Sequence, residues 1–408
     1  MTQHPPLLAT HEAKLPEDSV PYYVRAGAMG IPAIMFGLFI SGWISFIPGA
    51  MAGHADFRQL YTAGYMIRAG MGHELYNYDV QKDFQDRLVS PESIALPYIR
   101  PAYQALLFVP FTLVSYRAAY WVMVALNIGL LIISFQLLSP YISNLRKIWR
   151  WLPVAIFTSF LPVGAALIQG QDSILLLTLL VAAFVALAED NEFTAGVLAA
   201  LGLFKFQLVI PIMLLFLIWR RWRFSAAFAV VATPLAVLST FLTGTSQIRI
   251  YIRSLFSMGA GLALVPKLFN YPVRLQMMEN LHGLVFGIFG ARVPNKWQLA
   301  TVIIVSCLFF AWTGFKGRKI NSSTELMLLA VPCSVLVSYY AFPHDLSVLL
   351  IPIAITLNSF PARPAPKAGN LAGVSVLLVF VAPMMQVFFP NQLYLAALTI
   401  ILLLVSIA

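Results

Sequence analysis

Apolar runs of about 20 residues follow one another from residue 28 almost to the end of this chain, and they leave it few ways to fold. A helix needs about 20 mostly apolar residues to cross the hydrocarbon core of a bilayer. Backbone polar groups in lipid must be satisfied within the segment, so the natural unit is a helix. Twelve such runs can be marked, near 28–48, 102–115, 118–138, 152–168, 171–188, 194–218, 224–241, 297–315, 323–341, 345–358, 370–388 and 392–407. With 60% hydrophobic and 10% charged residues among 408, and a mean hydropathy of +0.82, the chain lacks the polar surface to clothe a water-soluble globule. An all-α polytopic membrane protein is the expected fold.

Charge orients the spans. The clusters Arg220-Arg221-Trp222-Arg223, Lys316-Gly317-Arg318-Lys319 and Arg363 with Lys367 belong in the cytoplasm by the positive-inside bias. Alternation from them leaves both termini inside and two large loops outside, about 49–101 and 242–296. Residues 1–27 have no short charged lead into an apolar core and cleavage site, so they read as a retained cytoplasmic tail ahead of a membrane domain over 28–408. One place conflicts with this scheme: Arg146, Lys147 and Arg150 fall outside, which implies an error of one re-entrant pair between about Pro140 and Lys205. Cys307 and Cys333 sit in apolar runs and read as small core residues. The pI of about 9.6 follows from loop charge and carries no expectation of nucleic acid.

Chemistry is expected in the two outer loops. Phe57, Leu60, Tyr61 and Gly64 recur at helical spacing, with Arg58, Gln59, Thr62 and Arg68 mainly on the other side, which predicts an amphipathic helix at the membrane surface. Asp56-Phe57-Arg58-Gln59 fits a capping box, and on pattern alone the cap outweighs a catalytic role for Asp56. The two roles are compatible, because a carboxylate has about four acceptor positions. The second loop sets Arg249, Arg253, Lys267, Arg274, Arg292 and Lys296 against one acid, Glu279, an outer excess that fits either an anionic ligand such as a lipid phosphate or ordinary headgroups. Lys205 lies inside an apolar run, where an ammonium costs about 2.5–3.5 kcal/mol on insertion scales and therefore needs a cavity or a partner. The polar knot Gln169-Gly170-Gln171-Asp172 raises the same question, though an interhelical turn explains it equally well. No Walker A, GxGxxG, HExxH, GxSxG or D-x-D pattern is present, so no cofactor and no metal is expected.

The order of "ADFRQLYTAGYMIRAG…LYNYD", "RPAYQALLFVPFTLV", "GQDSILLLTLL", "AGVLAALGLFKFQLVIPIMLLFLIWRRW" and "YYAFPHDLSVLLIPI" resembles glycosyltransferase family 87 over residues 28–358. The chain departs from the family at Arg100-Pro101-Ala102, where Tyr-Pro-Pro is common, and at Lys205-Phe206, where Lys-Pro is. The resemblance implies a GT-C-like bundle of about 12 transmembrane helices whose two outer loops contain amphipathic helices. It also implies an inverting, mannose-like transfer from a polyprenyl-phosphate sugar to a lipid or glycan acceptor, at the outer face of a bacterial cytoplasmic membrane. Asp56 matches the family's general base, and His344 its polar pair at an outer helix start, although Asp345 there is also a simple helix cap. Substrate contacts are expected from Arg58, Tyr61, Arg100, Gln171, Lys205, Arg249, Arg253, Lys267 and Arg274. A transporter or flippase of a lipid-linked sugar is the competing expectation, since it too would hold a headgroup with basic residues.

Overall fold

The computed structural model describes residues 20–260, 275–360, 367–389 and 391–408. Every regular element among them is helical. Lys267 and Arg274 lie outside the described residues, as does Arg363. Helix α1 (Tyr22–Ala52) is 31 residues long and exposes Ile34, Phe36 and Ile44, as a helix wetted by lipid should. It ends at Gly53, whose left-handed φ of 98° turns the chain into α2 (Phe57–Arg68) and then α3 (Tyr78–Leu88).

The predicted helix at Phe57 forms, but its polar side is covered. Arg58 and Thr62 are as buried as Phe57 and Leu60, because α3 and the segment after it lie against them. The Arg58 guanidinium donates to Gln85 Oε1 at 3.0 Å and Ser90 Oγ at 3.0 Å, and meets Asp86 at 3.3 Å. Burial works against ionisation of Asp86, yet a hydrogen bond from Lys82, the Glu92 N–H and the Arg58 charge hold its carboxyl below the ordinary value. That contribution to stability is complete above the unfolded value of ~3.9 and fades as the pH falls below it.

Residues 102–115 do not make a span. Helix α4 (Ala102–Phe108) has seven residues between Pro101 and Pro110, and it folds back onto α2. Gly64 allows the approach, since a Cβ there would stand 2.6 Å from the Phe108 carbonyl carbon. Tyr61 Oη donates to the Val114 carbonyl at 2.8 Å, fixing the far end of the turn. Helix α5 (Tyr116–Leu138) then runs away from α2, followed by short α6 (Leu145–Ile148) and by α7 (Leu152–Ser159) and α8 (Leu161–Ile168), which return towards it with a break at Phe160 before Pro162. Helix α9 (Ser173–Ala188) descends again.

By length and composition five helical stretches among the described residues can cross a membrane: Tyr22–Arg68, Tyr116–Ile142, Glu192–Ile218, Trp222–Thr243 and Asn295–Gly317. Glu192–Ile218 is a hairpin and not one rod. Arg221, just past its end, meets Glu192 at its start, 3.3 Å apart. Its arms α10 (Glu192–Leu201) and α11 (Phe206–Ile218) therefore start and finish at the same end of the bundle, with Lys205 at the turn. Helix α12 (Trp222–Thr243) rises beside them and leads to α13 (Thr245–Ala260). After the undescribed stretch come α14 (Leu281–Phe289), α15 (Asn295–Gly317), α16 (Ser323–Val337), α17 (Leu350–Asn358), α18 (Lys367–Val381), α19 (Met385–Phe388) and α20 (Ala396–Ile407). Leu177 and Leu180 of α9, Ile212 of α11, Leu328 of α16 and Ile351 of α17 belong to one continuous core. Cys333 is buried there, whereas Cys307 is exposed on α15, so only one cysteine is the core residue expected.

Losing a span at 102–115 and gaining a turn at Lys205 removes the charge conflict. The Tyr141 ring packs on Phe184 at 5.6 Å near the foot of α9, and Asn358 Oδ1 accepts from the Leu145 N–H at 3.3 Å. Arg146, Lys147 and Arg150 thus share the end of the bundle that holds Arg221 and Lys316. All these cations gather at one end and Asp56 lies at the other.

Arg58 carries a testable consequence. Arg58→Lys keeps the charge but loses the forked donor set, so thermal unfolding in detergent should report a loss of about 1.5–3 kcal/mol, the value of a hydrogen bond to a charged group.

Candidate active site

The start of α2 lacks its expected cap. The Asp56 side chain makes no capping hydrogen bond, and the capping box with Gln59 does not form. The orphan N–H groups are satisfied from the end of α8 instead: Gln169 Oε1 accepts from Asp56 N at 3.0 Å, and the Gln169 carbonyl from Phe57 N at 2.9 Å. Freed from capping, the Asp56 carboxylate turns to the knot's other glutamine and accepts from Gln171 Nε2 at 2.7 Å through Oδ2. Gly170, between the two glutamines, has φ +59°, and a Cβ there would lie 2.8 Å from Phe57 Cβ. Only glycine lets the chain turn so close to α2.

Asp56 opens onto a cavity of about 680 Å³. Its polar lining includes Asp56, Gln59, Gln169, Gln171, Arg100, His344 and His54. Leu38, Phe39 and Phe46 of α1 and Leu161, Ala165 and Ile168 of α8 make an apolar wall, so one space joins a charged floor to a greasy side. Tyr340 and Phe342 close it from the segment after α16. Another cavity, of about 640 Å³, lies at the basic end between Glu192, Arg221 and Ser323. There Arg221 and Glu192 neutralise each other, and no wall of α1 and α8 adjoins them. Among the described residues no group of His, Cys, Asp and Glu is arranged to hold a metal ion.

Beneath the cavity the polar groups close into a ring. Gln171 Oε1 accepts from Arg100 Nη2 at 3.3 Å, and Arg100 Nη1 stands 3.9 Å from Asp172 Oδ1. Lys205 Nζ lies 3.7 Å from that same oxygen and 2.5 Å from Asp345 Oδ1. His344 Nε2 is 3.6 Å from Asp345, and its Nδ1 is 4.0 Å from Asp56 Oδ2. Asp345 also caps its own turn, accepting from Phe342 N at 3.1 Å. Gln104 donates to the second oxygen of Asp172. Two buried acids therefore balance two buried bases, as a low-dielectric interior demands.

The structure gathers four of the sequence-predicted residues at the cavity: Asp56, His344, Arg100 and Gln171. Lys205 is wholly buried below it and is bonded to carboxylates. Arg58 and Tyr61 face α3 and the 109–116 turn instead, and neither lines the cavity. Arg249 and Arg253 lie exposed on α13 and do not line it either. Sequence reasoning missed His54 and Gln104, and it noted Gln169 and Asp172 only in a polar knot that an interhelical turn explains equally well. A signal was available for Gln104 too: a glutamine inside an apolar segment needs a partner as much as Lys205 does.

Residues 98–338 match glycosyltransferase family 87, more than half of the chain. The chain belongs to this family, and its five candidate spans are those of a membrane protein. The match includes Arg100, Gln171 and Lys205 and leaves Asp56 and His344 outside its limits. No curated protein and no solved structure matches the chain.

Lys205→Met should strip Asp345 of its closest counter-charge and leave Asp172 with Arg100 alone. The expected result is a loss of about 3–5 kcal/mol, read as reduced yield and a lower melting midpoint in detergent. Gly170→Ala should cost about 1–3 kcal/mol through its backbone alone. Because it displaces both glutamines from Asp56, its turnover should fall as well, measured beside the melting midpoint.

Proposed function

We propose that this family member is an inverting glycosyltransferase that takes a mannose-like sugar from a polyprenyl phosphate and gives it to a lipid or glycan acceptor. The supporting observation is the pairing, in one cavity, of a carboxylate with a free oxygen and an apolar side wall. Asp56 Oδ2 is held by Gln171, while no group among the described residues holds Oδ1. Oδ1 is the atom to receive the acceptor's proton. As the acceptor oxygen bonds to the anomeric carbon from one face, the carbon–oxygen bond to phosphate breaks on the other, and polyprenyl phosphate leaves with the electron pair. The leaving phosphate needs positive charge, and Arg100 and His344 are the cationic or protonatable groups on the lining besides His54. The prenyl chain would lie along the α1 and α8 wall. Burial of Lys205 argues for an indirect part: it fixes Asp345, and through it His344. By the charge distribution the cavity end faces the outer side of the bacterial cytoplasmic membrane, opposite Arg221 and Lys316.

The reaction is tested by incubating purified protein with radiolabelled polyprenyl-phosphate sugars and membrane-lipid extract. A labelled product with stoichiometric free polyprenyl phosphate is expected. Transport of the intact labelled lipid across sealed vesicles, with no product formed, would replace this reading by that of a flippase. Asp56→Asn is the sharper test of mechanism. It preserves shape and the acceptor for Gln171, so the melting midpoint should hardly change, while turnover falls by about 10²–10⁴-fold. Parental turnover in that variant would end the role of Asp56 as base.

A further inference from the structure

Gln171 stands between the carboxylate at the cavity's edge and the guanidinium in its floor. Its Nε2 donates to Asp56 Oδ2 at 2.7 Å, and its Oε1 accepts from Arg100 Nη2 at 3.3 Å. The residue is 1% exposed, with both ends of its amide engaged inside the protein, which fits a substrate contact poorly. Its backbone is held too: Asn127 Nδ2 donates to the Gln171 carbonyl at 2.9 Å, and Gly170 fixes the turn before it. A cation on the oxygen side of an amide draws electrons from the nitrogen side and makes its N–H a stronger donor, because linked hydrogen bonds polarise one another.

We infer that Gln171 is a positioning residue, an amide relay that carries the pull of Arg100 to Asp56 and leaves Oδ1 turned to the acceptor hydroxyl. The inference rests on the reading of Asp56 as the base. Gln169 does the complementary task on the backbone, accepting from Asp56 N at 3.0 Å, so main chain and side chain of one residue are set by glutamines on either side of a glycine. Arg100 itself is kept in place by Asp172 at 3.9 Å and by the Phe204 carbonyl at 3.4 Å. Holding one carboxylate oxygen confines the other to a single direction, and a base must be aimed before its proton affinity matters.

Two substitutions separate this role from packing. Gln171→Met keeps the length of the side chain and removes both hydrogen bonds. Gln171→Glu keeps the partner for Arg100 but sets a second acceptor against Asp56. With radiolabelled polyprenyl-phosphate mannose and membrane-lipid extract as the probe, kcat should fall about 10–100-fold in both variants, the worth of a charge-assisted hydrogen bond. Donor KM should stay within about threefold of the parent, since uniform binding is untouched. Relay through Asp56 also demands non-additivity: in an Asp56→Asn background, Gln171→Met should cause little further loss. A loss that falls on KM, an equal loss in the Asp56→Asn background, or parental kcat in the variants would overturn the relay. Should Gln171→Met fail to fold, Gln171→Glu alone decides by the same measures. Parental activity of Asp56→Asn would instead bring down the assignment of the base, so the two failures are told apart.

Discussion

The contact on which the site depends is the bond between Lys205 and Asp345. A lone ammonium or carboxylate at that depth is costly, and together with Asp172 and Arg100 each finds an opposite charge within 4 Å. The four groups come from four separate places: the segment before α4, the start of α9, the α10–α11 turn and the segment after α16. Electrostatic balance thereby tells the helices where to meet. His344 and Gln171, the two groups that approach Asp56, are chain neighbours of Asp345 and Asp172. The cavity end is thus built outward from a neutral buried cluster, with the acid that faces the cavity as its last member.

Hydropathy makes the membrane class and the helical content legible, because lipid leaves the backbone no other choice. It misleads wherever an apolar run is covered by protein. Residues 102–115 read as a span and are a short helix folded under α2, since Pro101 and Pro110 bound it and Gly64 admits it. Residues 194–218 read as one span and turn back at Lys205. Neither run betrays its course by composition. The misplaced cations Arg146, Lys147 and Arg150 were the visible symptom, and the two errors together account for them.

At the site, residue type was more legible than role. Asp56 is conspicuous because it opens a polar segment, and the local pattern argued for a cap that a distant glutamine has taken over. Capping rules describe what near neighbours do, and they are silent about a side chain 113 residues away. Lys205 demanded a partner on sequence grounds, and its partners are carboxylates of the protein itself. Arg58 belonged to the right segment but spends its guanidinium on holding α3. Long-range pairing decided each of these cases.

The separation between Lys205 and Asp345 along the chain is 140 residues. While the protein is being synthesised, the α10–α11 turn enters the bilayer long before its closest counter-ion exists. Asp172 is already made by then, and in the finished ring it stands 3.7 Å from the ammonium. The α10–α11 hairpin is therefore complete in sequence well before it is complete in energy, and the last third of the chain acts as the clasp that locks the first half.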